Sequence, residues 1–153
     1  MAFTAADPDF EARVRASFAR QGIMRLINAS IVRVSPGAVD IELPFRDDLT
    51  QQHGYFHAGI TSTIADSAGG YAAFTLFPAT SSVLTVEFKM NLVAPADGEK
   101  LVARGRVKKH GRTLTVCELE VAAVKAGRER ACAFGLQTLI CLEGVADGRL
   151  PQG

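Results

Sequence analysis

The stretch from Ala58 to Leu76 has the length of a long helix and carries eight glycine or alanine residues. Glycine inside a helix is less favourable than alanine by about 1 kcal/mol, so Gly69 and Gly70 need a compensating contact. Close approach to another backbone supplies such a contact. The stretch therefore predicts a central helix, ended by Pro78, that is held tightly against a sheet or against its own copy.

The chain after this helix alternates between apolar and polar residues with period two, which is typical of strands. From Leu84 to Leu92 the apolar residues are predicted to face one side and the polar residues the other. Three further strands are predicted at 101–109, 114–124 and 130–142. Because turn residues separate these segments, neighbouring strands are expected to pair antiparallel.

The chain before the central helix predicts one short helix and a hairpin. The helix begins at Asp7-Pro8 and ends at Gly22, a strand covers 24–34, a turn follows at 35–37, and a second strand covers 39–45. The resulting order is helix, two strands, long helix and four antiparallel strands. This order predicts an α+β domain in which a helix covers one face of the sheet.

Charge and composition argue against several functions. The 17 basic and 16 acidic residues are interspersed, so no basic face for nucleic acid is expected. The first residues lack the pattern of a secretion signal, and no uncharged apolar run is long enough to span a bilayer. The mean hydropathy of +0.14 is high for a small soluble domain, which favours burial of apolar surface in an oligomer.

Three cysteines, Cys117, Cys132 and Cys141, form an odd set without the spacing of metal ligands. They lie in predicted strands, so they are expected to be buried free thiols in a reducing cytoplasm. The histidines also lack a ligand pattern with Asp66 or with the cysteines. We therefore expect no metal site.

The ten residues HAGITSTIAD, from His57 to Asp66, carry the strongest chemical signal. Asp66 is the only charged side chain between His57 and Glu87. An acid in so apolar a run needs either a partner or a catalytic role. The unpaired N–H groups at a helix start can polarise a carbonyl, which favours the catalytic role. The alternative is a buried acid satisfied by backbone donors.

The element order and this motif resemble the hotdog fold, in which a long antiparallel sheet wraps around a central helix. The closest resemblance is to the PaaI-type acyl-CoA thioesterases, whose central helix starts with His-Gly-Gly and carries an acid nine positions after the histidine. Here the stretch is HAGITSTIADSAGGYAA, and LTVEFKMNLVAPADG after the helix also matches. The matching region runs from about Met24 to Leu142. The corresponding division is an N-terminal helical segment (1–22), a hotdog thioesterase domain (23–143) and a C-terminal tail (144–153).

The resemblance implies hydrolysis of an acyl-CoA thioester without metal or organic cofactor. Asp66 would be the general base or the nucleophile, and His57 the orienting histidine. Backbone N–H groups of Ala58 and Gly59 would bind the carbonyl, although Ala58 replaces the usual first glycine. Gln51, where relatives often carry asparagine, would help to hold the attacking water.

Four more residues are candidate substrate contacts. The resemblance assigns a hydroxyl to Thr85, where relatives can carry serine. Ser67 follows the catalytic acid, and its alternative is a hydrogen bond within its own helix. Lys108 and Arg112 flank a predicted turn and are candidates for the phosphates of coenzyme A, with solvated surface charge as the alternative.

The spacing within the motif requires two subunits. A helix that starts at Ala58 places Asp66 about 12 Å along its axis, at 1.5 Å per residue. Reacting atoms must approach to about 3–3.5 Å, so one helix cannot supply both groups to one carbonyl. The resemblance also implies shared sites in a homodimer, and we expect further assembly into a homotetramer.

Two other functions are kept as alternatives. The first is an acyl-thioester dehydratase or hydratase on the same fold, and the second is a non-catalytic acyl-CoA binding protein. The sequence leaves open the identity of the acyl group and the choice between nucleophile and general base for Asp66.

Overall fold

A computed structural model describes residues 2–149, which form three helices, a short 3-10 helix at Asp47–Leu49 and six strands. The elements are α1 (Phe10–Arg20), α2 (Gly22–Ile27), β1 (Ser30–Ser35), β2 (Ala38–Pro44), α3 (Ala58–Phe74), β3 (Ser81–Leu92), β4 (Lys100–Lys109), β5 (Leu114–Lys125) and β6 (Arg128–Glu143).

The six strands form one antiparallel sheet in the order β1-β2-β4-β5-β6-β3, and α3 packs on one of its faces. The chain leaves the sheet after β2, forms α3, and returns at the opposite edge as β3. The expected α+β class is confirmed, and so is the long central helix against an antiparallel sheet that the hotdog resemblance implies. None of the helices within residues 2–149 is long and apolar enough to cross a membrane.

The small residues of α3 allow it to lie directly on the sheet, as expected. A Cβ atom added at Gly105 of β4 would stand 2.2 Å from the carbonyl oxygen of Ala68. A Cβ atom added at Gly69 would stand 2.0 Å from Oε1 of Gln137 and 2.5 Å from Leu119. Glycine is therefore required at Gly105, where a side chain would meet the backbone of α3, while a side chain at Gly69 would displace the ends of the Gln137 and Leu119 side chains.

Arg13 of α1 secures the last turn of α3. Its guanidinium donates hydrogen bonds to the carbonyl oxygens of Phe74 (3.1 Å), Phe77 (2.8 Å) and Pro78 (2.7 Å). It also lies 4.2 Å from the centre of the Phe74 ring and forms an ion pair with Asp7. Burial lowers the pKa of Arg13, while Asp7 raises it. This one side chain joins α1 to the last residue of α3 and to the turn that follows it.

The predicted strand at 24–34 is wrong in its first part. Residues Gly22–Ile27 form α2, and β1 begins only at Ser30. Met24 and Ile27 are buried at the three-residue spacing of a helix, and Asn28 ends the helix in the left-handed region with φ 62°. Asparagine tolerates that conformation better than most residues, which explains the stop at this position.

The predicted alternation along β3 is also wrong over part of its length. The register of β3 against β6 shifts between Thr85 and Glu87. Thr85 pairs with the buried Leu139, and Phe88 pairs with the buried Gln137, so both face α3. The extra residue of the bulge changes which side chains face the helix. Leu84 and Phe88 therefore lie on opposite faces of the sheet.

The three cysteines are free and buried, as predicted. Burial raises the pKa of Cys117 to about 12 and raises the pKa of Cys132 and of Cys141. The predicted N-terminal segment and tail fall partly outside the described residues, since Met1 and residues 150–153 are not among them. In the described part of the tail, Asp147 accepts hydrogen bonds from Arg20 of α1.

Candidate active site

Two donors hold the carboxylate of Asp66 by the same oxygen. The hydroxyl of Thr85 donates to Oδ1 at 2.8 Å, and Nε2 of Gln137 donates to Oδ1 at 2.7 Å and to the Asp66 carbonyl oxygen at 3.1 Å. Among residues 2–149, no donor lies within hydrogen-bond distance of Oδ2. The carboxylate is thus fixed through one oxygen, while the other oxygen is left available for chemistry.

Gln137 is a candidate site residue that was not predicted from the sequence. Its side chain is 1% exposed on β6, facing α3, and its Nε2 also lies 3.0 Å from Oγ1 of Thr85. Its Oε1 is buried without a partner among the described residues. Rotating the amide by half a turn would place Oε1 against the Asp66 carboxylate, so the observed orientation is the favourable one. Every second residue of β6 faces α3, and Gln137 is the one amide among them. The others are Ala133, Gly135, Leu139 and Cys141. That single polar residue in an apolar set was the sign in the sequence.

Asp66 opens onto a cleft of about 560 Å³ that runs along α3. α3 contributes Ser67, Gly70 and Tyr71, and the sheet contributes Val83, Leu84, Thr85 and Leu139. The rest of the lining comes from Ser17, Arg20 and Gln21 and from the tail residues Asp147, Gly148 and Arg149. The site residues Asp66, Ser67 and Thr85 that the sequence analysis selected therefore share one cleft.

A chain of hydrogen bonds joins Ser67 to the N-terminal helices. Ser67 donates to Oε1 of Gln21 at 3.2 Å, and Nε2 of Gln21 donates to the hydroxyl of Tyr71 at 3.1 Å. The Tyr71 hydroxyl lies 3.1 Å from that of Ser17, and burial raises the pKa of Tyr71. Ser67 faces the cleft and bonds across it. Ser17 and Gln21 were not predicted as site residues, since both lie before the region that carries the resemblance.

His57 caps the start of α3. Its Nδ1 accepts a hydrogen bond from the N–H of Gly59 at 2.8 Å, and both Ala58 and Gly59 are exposed. The Gly59 donor is therefore occupied by His57. Ala58 lines a second, smaller cavity of about 320 Å³ together with Gln51. The helix start and Gln51 thus lie together, in a cavity that does not include Asp66.

The structure places Lys108 and Arg112 away from the cleft. They flank the turn between β4 and β5, near the end of α3, where the ring of His110 lies 6.0 Å from that of Phe77. Lys108 forms an ion pair with Glu118 at 2.9 Å. Neither basic residue lines the cleft beside Asp66. Residues 2–149 contain no group of three or more His, Cys, Asp or Glu side chains arranged to hold a metal ion.

Comparison with known proteins gives a consistent family. A family model described as the thioesterase superfamily matches residues 53–129, about half of the chain. The crystal structure of a thioesterase family protein from Silicibacter pomeroyi has a TM-score of 0.87 and 49% identity, covering 88% of this chain and 99% of that one.

Two further proteins are similar over most of their length. Acyl-coenzyme A thioesterase 13 of Homo sapiens is 26% identical over 100 residues, covering 65% of this chain and 71% of that protein. The PaaI protein from the E. coli phenylacetic acid degradation operon has a TM-score of 0.80 at 14% identity, covering 90% of this chain and 96% of that one. At that identity, the PaaI protein supports the fold alone.

Proposed function

This chain belongs to the thioesterase superfamily and is a thioester hydrolase, and we propose that it hydrolyses an acyl-CoA to the free acid and coenzyme A with Asp66 as the reacting acid. The observation that carries the proposal is the carboxylate held by Thr85 and Gln137 through Oδ1 alone. Oδ2 then removes a proton from the attacking water, or itself attacks the thioester carbon. In both routes the thiolate of coenzyme A leaves and is protonated.

The carbonyl oxygen of the thioester is proposed to bind at the start of α3. The N–H groups of Ala58 and Gly59 are the donors, and their partial positive charge stabilises the developing oxyanion. Because His57 already accepts the Gly59 N–H, the substrate carbonyl either takes the Ala58 N–H or displaces the imidazole. Gln51, which lines the same cavity as Ala58, is placed to hold the attacking water.

The site is proposed to be shared by two protomers, because Asp66 lies two turns away from the N–H donors of its own helix. The edge strand β3 supports this assembly. Of the thirteen large apolar side chains that are exposed within residues 2–149, five lie in the segment 84–93: Leu84, Val86, Phe88, Leu92 and Val93. An unpaired apolar edge is a target for association, and pairing two β3 strands about a two-fold axis covers it.

Two further assignments extend this proposal. Exposed Phe134 and Leu136 support assembly of two dimers into a tetramer, while the buried free thiols support a cytoplasmic location. Lys108 and Arg112 are proposed to contact the phosphates of coenzyme A from the turn after β4. Replacing both by alanine is expected to raise KM with little change in kcat.

The direct test is thiol release from a panel of acyl-CoA substrates by the parent and by Asp66→Asn. Removing the reacting oxygen is expected to lower kcat by at least about a thousandfold, a usual scale for an essential group. Asp97→Asn is the matched control, since Asp97 is an exposed acid paired with Lys125. Parental activity in a folded Asp66→Asn variant would refute the assignment. Hydration of an enoyl-CoA without thiol release would favour the dehydratase alternative.

The shared site can be tested by complementation. Gly59→Pro removes one N–H donor at a helix position that tolerates proline, and Asp66→Asn removes the acid. Asp66→Asn alone is expected to be inactive, and so is Gly59→Pro alone if the substrate carbonyl displaces His57 from the Gly59 N–H. After mixing and exchange of protomers, about a quarter of the parental activity should return, since half of the dimers are mixed and each has one intact site. Absence of recovery in proven mixed dimers would show that each protomer works alone.

A single turnover in ¹⁸O-water tests whether water attacks the acyl carbon or the carboxyl carbon of an Asp66 anhydride. If Asp66 is the general base, the first equivalent of free acid carries ¹⁸O. If Asp66 is the nucleophile and water then attacks its own carboxyl carbon, the label enters Asp66, and the first equivalent of acid is unlabelled. Mass spectrometry of product and protein distinguishes these outcomes.

A further inference from the structure

Two adjacent glycines in the middle of α3 have different surroundings. Gly69 faces the sheet, where an added Cβ would stand 2.0 Å from Gln137 and 2.5 Å from Leu119. An added Cβ at Gly70 would meet only Leu139, whose Cδ2 would stand at 3.5 Å, an ordinary van der Waals distance. Glycine weakens a helix interior, so its presence needs a reason. Close packing against the sheet is the reason at Gly69, but no such contact exists at Gly70 within residues 2–149.

Gly70 lies on the floor of the cleft that starts at Asp66. It follows Asp66 by four residues, so both lie on the same face of α3, about 6 Å apart along the axis. Across the cleft stands Val83 of β3, and Leu139 of β6 lies on the same face of the sheet. The missing side chain of Gly70 therefore widens the cleft one helical turn beyond the reacting carboxylate, between apolar walls.

One side of this cleft is polar. The hydroxyl of Tyr71 is bonded to Gln21 and to Ser17, and Gln21 also accepts a hydrogen bond from Ser67, next to Asp66. An aliphatic group that extended over these side chains would cover polar atoms without bonding to them, which is unfavourable. The favourable apolar contact is thus confined to the part of the cleft beside Gly70.

We propose that this cleft is the acyl subsite and that Gly70 lets a medium-length acyl group lie against the backbone of α3. The inference rests on the proposed function, since the thioester carbon must lie at Asp66 for the acyl group to reach Gly70. Straight-chain acyl groups of about hexanoyl length span the roughly 6 Å along the axis from Asp66 to Gly70. Acetyl groups are too short to reach Gly70.

The test is Gly70→Ala, assayed with hexanoyl-CoA and acetyl-CoA. The added methyl group occupies the proposed path, so kcat/KM for hexanoyl-CoA should fall by at least about tenfold, the effect of one misplaced carbon in an apolar pocket. For acetyl-CoA the same ratio should stay within about twofold, which makes that substrate the internal control. The melting temperature should be unchanged or higher, because alanine favours the helix. Gly69→Ala, by contrast, should lower the melting temperature through its clash with Gln137.

Binding gives a readout that does not require turnover. Hexyl-CoA and ethyl-CoA, thioethers that cannot be hydrolysed, are titrated calorimetrically into the parent and into Gly70→Ala. Weaker binding of hexyl-CoA alone supports the subsite. The acyl subsite is refuted if Gly70→Ala weakens the binding of both ligands equally or of neither. It is also refuted if the activity toward both substrates falls equally. Val83→Leu narrows the cleft from the opposite wall and should give the same selectivity if Gly70→Ala does not fold.

The two proposals fail in different ways. A parent protein that releases thiol from no acyl-CoA contradicts the proposed function. A parent that hydrolyses hexanoyl-CoA, together with a Gly70→Ala variant of equal efficiency, contradicts the acyl subsite alone.

Discussion

Replacing Gln137 by methionine should separate activity from stability. The substitution keeps an unbranched side chain of similar length but removes the amide that donates to Asp66 Oδ1 at 2.7 Å. A hydrogen bond to a charged group contributes about 1.5–3 kcal/mol. The substitution also removes the buried, unpartnered Oε1, a defect that costs about 1–3 kcal/mol. The two contributions oppose each other and are similar in size.

The free energy of unfolding is therefore expected to change by less than about 1 kcal/mol, which corresponds to roughly 2–4 °C in melting temperature for a chain of this size. Water entering the cleft can solvate the half-exposed carboxylate, so no buried charge is left without a partner. Catalysis has no such compensation. Without this donor Oδ1 is less firmly oriented. If the activation free energy rises by the same 1.5–3 kcal/mol, kcat falls by about ten- to a hundredfold.

The measurements are thermal unfolding and steady-state kinetics on the same preparations, with Gln137→Glu as the isosteric partner. Glutamate replaces the donor by an oxygen facing Asp66, so it should lower both kcat and the melting temperature below those of the methionine variant. KM should change little in either variant, because Gln137 is a positioning residue that does not line the cleft. A methionine variant with parental kcat, or one that melts more than about 10 °C lower, would refute this reasoning.

Three further predictions concern the frame around the site. Gly105→Ala should lower the free energy of unfolding by about 3 kcal/mol or more, the upper end for overpacking, because its Cβ would stand 2.2 Å from the Ala68 carbonyl oxygen. An unchanged midpoint of urea unfolding would contradict this. Arg13→Met should destabilise by about 2–4 kcal/mol, because the carbonyls of Phe74, Phe77 and Pro78 lose a charged donor and the buried Asp7 loses its ion-pair partner. Calorimetry measures the loss, and Arg15→Met, which removes an exposed ion pair, is the control. Because burial raises the pKa of Cys117 to about 12, its thiol should stay protonated and react with Ellman's reagent at pH 8 only after unfolding; fast reaction in the folded protein would show that the site opens.

The helices and strands that were predicted correctly are those with long, regular patterns. The predicted bounds of α3 differ from the observed ones by at most two residues, because its small residues and the following Pro78 define it. The last four strands were predicted because apolar and polar residues alternate along them. α2 was missed because six residues are too few to show helical periodicity. The bulge in β3 was missed because an extra residue at Val86 leaves the sequence pattern intact while changing which side chains face α3.

The candidate site was predicted where its residues share one local motif and missed where they do not. Asp66, Ser67 and Thr85 follow from the motif and the strand after it, and the structure brings them together. Gln137 reaches Asp66 from 71 positions along the chain, and such pairing depends on the order of strands in the sheet. Gln21 is positioned by the turn between α1 and α2, which no periodic pattern marks.

The register shift in β3 lets one edge strand present exposed apolar side chains on both faces of the sheet. Val83 and Thr85, before the shift, lie on the face of α3 and line the cleft beside Asp66. Leu84 lies on the opposite face, whereas Phe88, after the shift, lies on the face of α3, and both side chains are exposed. A partner strand laid along this edge would meet apolar side chains above and below the sheet, so substitutions that change subunit association are expected to change the cleft as well.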